Sequence, residues 1–331
     1  MQSAPALDSL EAALERAVTR YDGGSPMDEQ IRYHFGFGGA ERRGKRLRSR
    51  LLLEVAAEEG ARAEDVLDAA CAVEILHEFS LVHDDIEDGD RLRRGRETAW
   101  ARFGVPHAIN AGDALCAVAY LALLDATAKR PPQLTIAMTR ALHEAHLAMC
   151  EGQGRDIAFE AAPLVTMDDY RAMIEGKTGA LFGAACELGA LAADAGAERA
   201  AAYARLGRAY GIAFQIEDDV LGIWGDSSTT GKPSGADLAK RKWTFPVAWA
   251  LSGAPSADRE TIAAAYARGT NLDSATVEAT GAALDRLGAR EASLSAAREA
   301  LGEADALAAA YGIDRSGRVR AFFGRAVRRV A

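Results

Sequence analysis

Leu81-Val82-His83-Asp84-Asp85-Ile86-Glu87-Asp88 closes an apolar stretch that begins near residue 64. Apolar residues recur there at helical spacing, so the stretch reads as one long helix. Carboxylates at its end are costly if buried without partners. Asp84 and Asp88 lie i, i+4 on one face, where like charges repel. An acidic helix end facing water is one reading. A hard divalent cation held by carboxylate oxygens is the other.

A second acidic cluster adds weight to the cation. Phe214-Gln215-Ile216-Glu217-Asp218-Asp219 ends another apolar helical pattern, over about 197–223. Gln215, Asp218 and Asp219 fall at i, i+3 and i+4, again on one face. The clusters are far apart in the chain and so belong to different helices. Two helices presenting carboxylates toward each other make a multi-metal site within a bundle. Mg2+ takes one or two carboxylates and completes its shell with water and phosphate oxygens, which makes a diphosphate the natural ligand.

The rest of the chain reads the same way. Of its 331 residues, 49% are hydrophobic and 26% charged, enough apolar side chain to exclude disorder. Alanine runs such as Ala200-Ala201-Ala202 and the low aromatic content favour helix over strand. Helical patterns cover about 5–21, 44–59, 64–84, 105–127, 131–150, 168–192, 197–223, 238–251, 257–268, 273–286 and 288–311, and no β-alternation stands out. No linker separates two domains. The expectation is all-α: a single large helical bundle over 1–331 around a central cavity, with 1–30 an N-terminal helix and 312–331 a basic tail. His34-Phe35-Gly36-Phe37-Gly38-Gly39 reads as a connector, because no strand precedes it to make a phosphate loop.

Several function classes drop out. A net charge of −9 does not suit non-specific nucleic-acid binding. No apolar run reaches the ~18 residues of a membrane span. No secretory signal is evident, which suggests a cytoplasmic protein. Cys71, Cys116, Cys150 and Cys186 are scattered and form no C-x-x-C, so free buried thiols are expected.

Cations stand beside both acidic clusters. Gly44-Lys45-Arg46-Leu47-Arg48 places Lys45 and Arg48 three apart on a helix face, Arg93 and Arg94 follow the first cluster, and Lys232 and Lys242 follow the second. Gly176-Lys177-Thr178 lies in a helical pattern, and Gly152-Gln153-Gly154-Arg155-Asp156 follows one. Arginine forks and lysine charges suit phosphate oxygens. These blocks, with Phe214-Gln215 through Asp218-Asp219 to Gly231-Lys232-Pro233 and Asp237, resemble the trans-isoprenyl diphosphate synthase family over about residues 30–250.

The resemblance implies a reaction. Members join an allylic diphosphate to isopentenyl diphosphate, head to tail, with three Mg2+ ions on the allylic diphosphate. It implies metal ligation by Asp84, Asp88 and Asp218, supported by Asp85, Asp219, Asp237, Gln153 and Asp156. It gives Arg93, Lys177, Lys232 and Lys242 to the allylic diphosphate, and Lys45, Arg48, His77 and Arg94 to isopentenyl diphosphate. Thr178 and Gln215 would line the reacting carbons. A homodimer is also implied.

The second acidic motif of the family usually ends in a third aspartate, and here that position is Gly222. Phe79 and Ser80, five and four residues before Asp84, fall where the floor of the product tunnel is expected. One aromatic, at the fifth position, resembles twenty-carbon synthases, so geranylgeranyl diphosphate is expected first and farnesyl diphosphate second. A terpene synthase on the same scaffold, a non-catalytic partner subunit and a head-to-head condensing enzyme are the alternatives.

Overall fold

The computed structural model describes residues 4–37, 44–125, 130–225, 234–267 and 269–327. The elements are helical apart from one short hairpin. The chain divides into two compact units. The first comprises Met1–His146, Ala184–Ala204 and Tyr311–Phe322, and the second Leu147–Gly183, Arg205–Ala310 and Phe323–Ala331.

In the first unit, α1 (Ala4–Thr19), α2 (Pro26–Phe35) and α3 (Leu47–Glu58) precede the central α4 (Ala63–Glu87). α4 carries no polar stripe. Val66, Ala69, Val73, Ile75, Leu76, Phe79 and Val82 are all buried, so it is apolar nearly all round. It packs against α6 (Val105–Leu124), α3 and α1. A two-residue turn, Arg94-Gly95, joins β1 (Leu92–Arg93) to β2 (Arg96–Glu97). Both turn residues have positive φ, 56° and 89°, the pattern of a type I′ hairpin turn. α5 (Ala99–Phe103) leads into α6.

Three sequence expectations change here. Residues 26–35 form a helix, so His34 and Phe35 end α2 and Gly36, at φ 73°, caps it. The proline at its first turn hides the periodicity of so short an element. The hairpin is too short to show alternation. α6 is, by length and composition, apolar enough to cross a membrane, although Asp113 interrupts the run in sequence. Its Ala108, Ala111, Leu115 and Ala119 are buried in the first unit.

In the second unit, the C-terminal part of α7 (Pro132–Phe159) is followed by α8 (Met167–Ile174). Thr166 and Asp169 start α8 with a capping box. One π-helical turn, Glu175–Gly179, leads into α9 (Ala180–Ala192). α10 (Ala197–Trp224), α11 (Ala236–Ala239), α12 (Phe245–Leu251), α13 (Ala257–Tyr266), α14 (Ser274–Arg286), α15 (Ala289–Tyr311) and α16 (Arg318–Val327) complete the chain. Tyr170, Ile174, Ile216, Leu238, Trp243, Phe245, Tyr266 and Leu284 belong to this unit's core. The basic C-terminal stretch is more than a solvated face. Val319, Phe322 and Phe323 are buried, and both carboxylate oxygens of Asp314 accept backbone N–H groups of α16.

Glycine pairs set how closely the second unit's helices cross. A Cβ on Gly152 would overlap the Lys177 amide and stand 2.7 Å from the Gly176 carbonyl carbon. A Cβ on Gly211 would stand 2.8 Å from Gly179 Cα. Backbones meet directly at both places, which brings α7 and α10 against the π-turn. Gly152→Ala should therefore lower the stability to urea by about 1–3 kcal/mol, the usual cost of overpacking. An unchanged unfolding midpoint would contradict the close crossing.

Candidate active site

Both acidic clusters sit at the C-terminal ends of long helices, α4 and α10. That is the negative end of the helix dipole, so carboxylates there need positive partners. The structure solves this in the same way twice. One aspartate of each adjacent pair is buried and bonded, and its neighbour is accessible.

In the first unit Asp85 is the buried one. It accepts Arg93 Nε at 2.7 Å, and Arg93 Nη2 also lies 3.5 Å from Asp84. Burial outweighs the arginine and pushes the Asp85 carboxyl up to about 6. Asp84 and Asp88 are partly exposed on their shared face.

A second group of basic residues is organised by Glu78, on the same helix, which is 0% exposed. Glu78 accepts Arg46 Nη1 at 2.5 Å and Arg94 Nη2 at 3.3 Å through one oxygen, and meets His34 Nε2 at 2.9 Å through the other. Burial pushes its carboxyl up, but His34, Arg94 and Arg46 more than offset this and hold it well below the usual range. Arg46 is itself buried and bonds Glu11 at 2.8 Å. Ser49 Oγ donates to Glu74 at 2.7 Å. Gly44 leaves room for Arg94, whose guanidinium would lie 2.8 Å from a Cβ there.

His77 faces Arg48, with Nε2 2.9 Å from Nη1. A guanidinium only donates, so this imidazole nitrogen accepts and the ring is neutral. Burial, then Arg48, lowers its pKa well below the ordinary value. Lys45 is exposed beside this group. Phe79 is buried with its ring edge-on to His146 at 5.1 Å, and Tyr120 hydroxyl lies 2.9 Å from His146 Nδ1. Ser80 Oγ donates to the His77 carbonyl at 2.7 Å.

In the second unit the order within the pair is reversed. Asp218 is exposed and Asp219 is buried. Asp219 accepts the Tyr170 hydroxyl at 2.5 Å, Phe245 N at 2.7 Å and Gln215 Nε2 at 2.9 Å. Thr178 Oγ1 donates to Gln215 Oε1 at 2.7 Å, so Gln215 relays between the π-turn and Asp219. Lys177 Nζ donates to Asp156 at 2.5 Å. Short π-helical turns within helices often mark functional sites, and this one carries Lys177 and Thr178. Gln153 lies one residue from the Gly152 crossing, and Asp237 and Lys242 lie in and just after α11. Lys232 lies outside the described residues.

Among the described residues no group of three or more His, Cys, Asp or Glu closes around a metal. Mg2+ does not need such a cage, since it keeps waters and binds through one or two carboxylates plus phosphate oxygens. Accessible Asp84, Asp88 and Asp218 provide hard oxygen donors of that kind. Sequence reasoning missed Glu78, Glu74, Glu11, His34 and Tyr170. Their signal was a charge or hydroxyl on an apolar helix face, which gives no partner until the chain is folded.

Burial raises the Asp219 carboxyl from 3.8 to about 7, against three donors that lower it. The folded state then keeps a proton that the unfolded chain releases. This contribution to stability is complete below about pH 4 and is lost as pH rises through about 7. The urea midpoint of the wild type should fall from pH 5 to pH 8 by more than that of Asp219→Asn, which cannot titrate. Equal falls would refute the burial argument.

Comparison with known proteins identifies the family. A family model described as polyprenyl synthetase matches residues 36–282. The geranylgeranyl diphosphate synthase of Mycobacterium tuberculosis is 42% identical over 259 residues, covering 76% of this chain and 73% of that protein. A (2E,6E)-farnesyl diphosphate synthase of the same species is 41% identical over 243 residues, covering 72% and 67%. The crystal structure of a polyprenyl synthetase from Streptomyces coelicolor A3(2) superposes with a TM-score of 0.86 at 33% identity, over 97% of this chain and 96% of that one. The chain therefore belongs to the polyprenyl synthetase family, as a prenyl-transferring enzyme with the all-α isoprenoid synthase fold.

Proposed function

We propose that this chain, acting as a single prenyltransferase domain, condenses isopentenyl diphosphate head to tail with allylic diphosphates, with geranylgeranyl diphosphate as its main product. The carrying observation is the cation group of the first unit. Arg94 is tied to Glu78 and Arg48 to His77, beside the exposed Lys45. An enzyme that only ionises one prenyl diphosphate has no use for a second diphosphate site. Here Lys45, Arg48, Arg94 and neutral His77 hold isopentenyl diphosphate.

Arg93, Lys177, Lys232 and Lys242 hold the allylic diphosphate. Asp84, Asp88 and Asp218 are the Mg2+ ligands, and the dependence on Mg2+ is part of the proposal. Bound Mg2+ would neutralise the charge gathering on the departing diphosphate. As the allylic C–O bond breaks, the isopentenyl double bond forms the new C–C bond, and a proton then leaves for the released diphosphate. Thr178 and Gln215 oxygens face the passing positive charge. Asp85, Asp219, Asp156, Gln153 and Asp237 position these groups.

Phe79 sets the product length. Its ring is buried against His146, which is tied in turn to Tyr120. The partner is a second copy of this chain, and the outer side of α6, with Val105, Ile109, Leu121 and Leu124 exposed, suits such a pairing.

The test is incubation with Mg2+, isopentenyl diphosphate and five-, ten- or fifteen-carbon allylic diphosphates, with products read by mass spectrometry before and after phosphatase. A twenty-carbon diphosphate is expected, with about a hundredfold or greater loss in Asp84→Ala. Phe79→Ala should lengthen the product by one or more five-carbon units. Unchanged length would remove Phe79 as the floor. A hydrocarbon formed without isopentenyl diphosphate would overturn the proposed function.

A further inference from the structure

Arg50, Glu54 and Glu58 follow one another at every fourth position of α3 and so form one ridge along it. Each meets a residue of the C-terminal segment. Glu58 accepts Ser316 N at 3.0 Å and also the Ser316 hydroxyl. Glu54, which is buried, accepts Arg318 Nε at 2.7 Å. The Arg50 guanidinium carbon stands 5.0 Å from the centre of the buried Phe322 ring, within cation–π range. The order of contacts is opposite in the two segments: Glu58 with Ser316, Glu54 with Arg318, Arg50 with Phe322. The C-terminal segment therefore lies antiparallel along α3 and reaches Arg50 in the first turn of that helix.

Arg50 also bonds toward the start of α3. Its Nη1 donates to the Lys45 carbonyl at 3.3 Å. That carbonyl precedes a strained step. Arg46 has φ 52°, a left-handed conformation that a residue other than glycine keeps only when its surroundings hold it. The turn sends the Arg46 side chain inward to Glu78 and leaves Lys45 exposed. Ser49 Oγ donates to the Arg46 carbonyl at 3.1 Å, which secures the turn from inside the fold. Arg50 supplies the matching bond one residue earlier, on the Lys45 carbonyl.

We propose that Arg50 is a positioning residue for isopentenyl diphosphate, held in place by Phe322 of the C-terminal helix. Phe322 fixes the guanidinium, Arg50 fixes the Lys45 carbonyl, and Lys45 then meets the diphosphate from a settled backbone. Arg50 acts through the backbone of Lys45 and not by contact with the substrate. This rests on the isopentenyl diphosphate reading above.

Steady-state kinetics of the full-length protein with isopentenyl diphosphate and farnesyl diphosphate test this. Arg50→Met keeps the apolar stem and removes the donor. It should raise KM for isopentenyl diphosphate by about three- to tenfold, the loss of one hydrogen bond, while KM for farnesyl diphosphate and kcat stay within about twofold. A merely structural role would move both substrates together. Phe322→Leu keeps an apolar side chain and removes the ring, so it should shift the same KM in the same direction. The double variant should be no worse than Arg50→Met, because two coupled residues lose their shared interaction only once. Unchanged KM for isopentenyl diphosphate in Arg50→Met, an equal rise for both substrates, or single effects that multiply in the double variant would overturn the proposal alone. A wild type whose product does not depend on isopentenyl diphosphate would overturn the functional reading and this assignment with it.

Discussion

A carboxylate with no access to water governs the first unit. Glu78 sits on the central helix among apolar side chains, where an unpaired charge would cost several kcal/mol. It is tolerable only because Arg46, Arg94 and His34 converge on it. Those partners come from the start of α3, the hairpin turn and the end of α2. One buried charge therefore fixes three separate segments against α4. It also fixes Arg94, the neighbour of Arg93 in the hairpin, before any ligand arrives. Preorganised charge of this kind stabilises developing charge without reorganisation at the moment of reaction.

The second unit reaches the same end through backbone packing. Gly152 against Gly176, and Gly211 against Gly179, let three segments touch. Lys177 then meets Asp156, and Thr178 meets Gln215. Both units divide each aspartate pair in one way. Asp85 and Asp219 are buried anchors, and Asp84 and Asp218 stay accessible. Acids at the unfavourable end of a helix dipole can persist when half of them are neutralised by arginine or by hydrogen-bond donors.

Much of this was legible in the sequence. Asp84, Asp88 and Asp218 could be read because acids that end long apolar helices are locally expensive, and that cost shows in the pattern. The all-α class followed from periodicity and alanine. What stayed hidden depends on tertiary partners. Arg46 looks like any basic residue of Gly44–Arg48, yet it is buried and structural. Glu78 is one charge between His77 and Phe79, with no local sign that three cations meet it. The π-turn and the short hairpin leave no periodicity to read. Gly222 showed only as a missing acid, because Asp237, whose carboxylate fills the space beside it, lies fifteen residues on and meets it through folding.

The central claim is that buried counter-charge holds the phosphate-binding cations ready. Calorimetric titration of Glu78→Gln with isopentenyl diphosphate tests it most directly, alongside Mg2+-pyrophosphate as reference ligand. Losing a charge-assisted hold of about 1.5–3 kcal/mol should weaken isopentenyl diphosphate by about tenfold or more in a folded protein. Binding of Mg2+-pyrophosphate should change much less. Unchanged affinity for isopentenyl diphosphate in Glu78→Gln would contradict the claim.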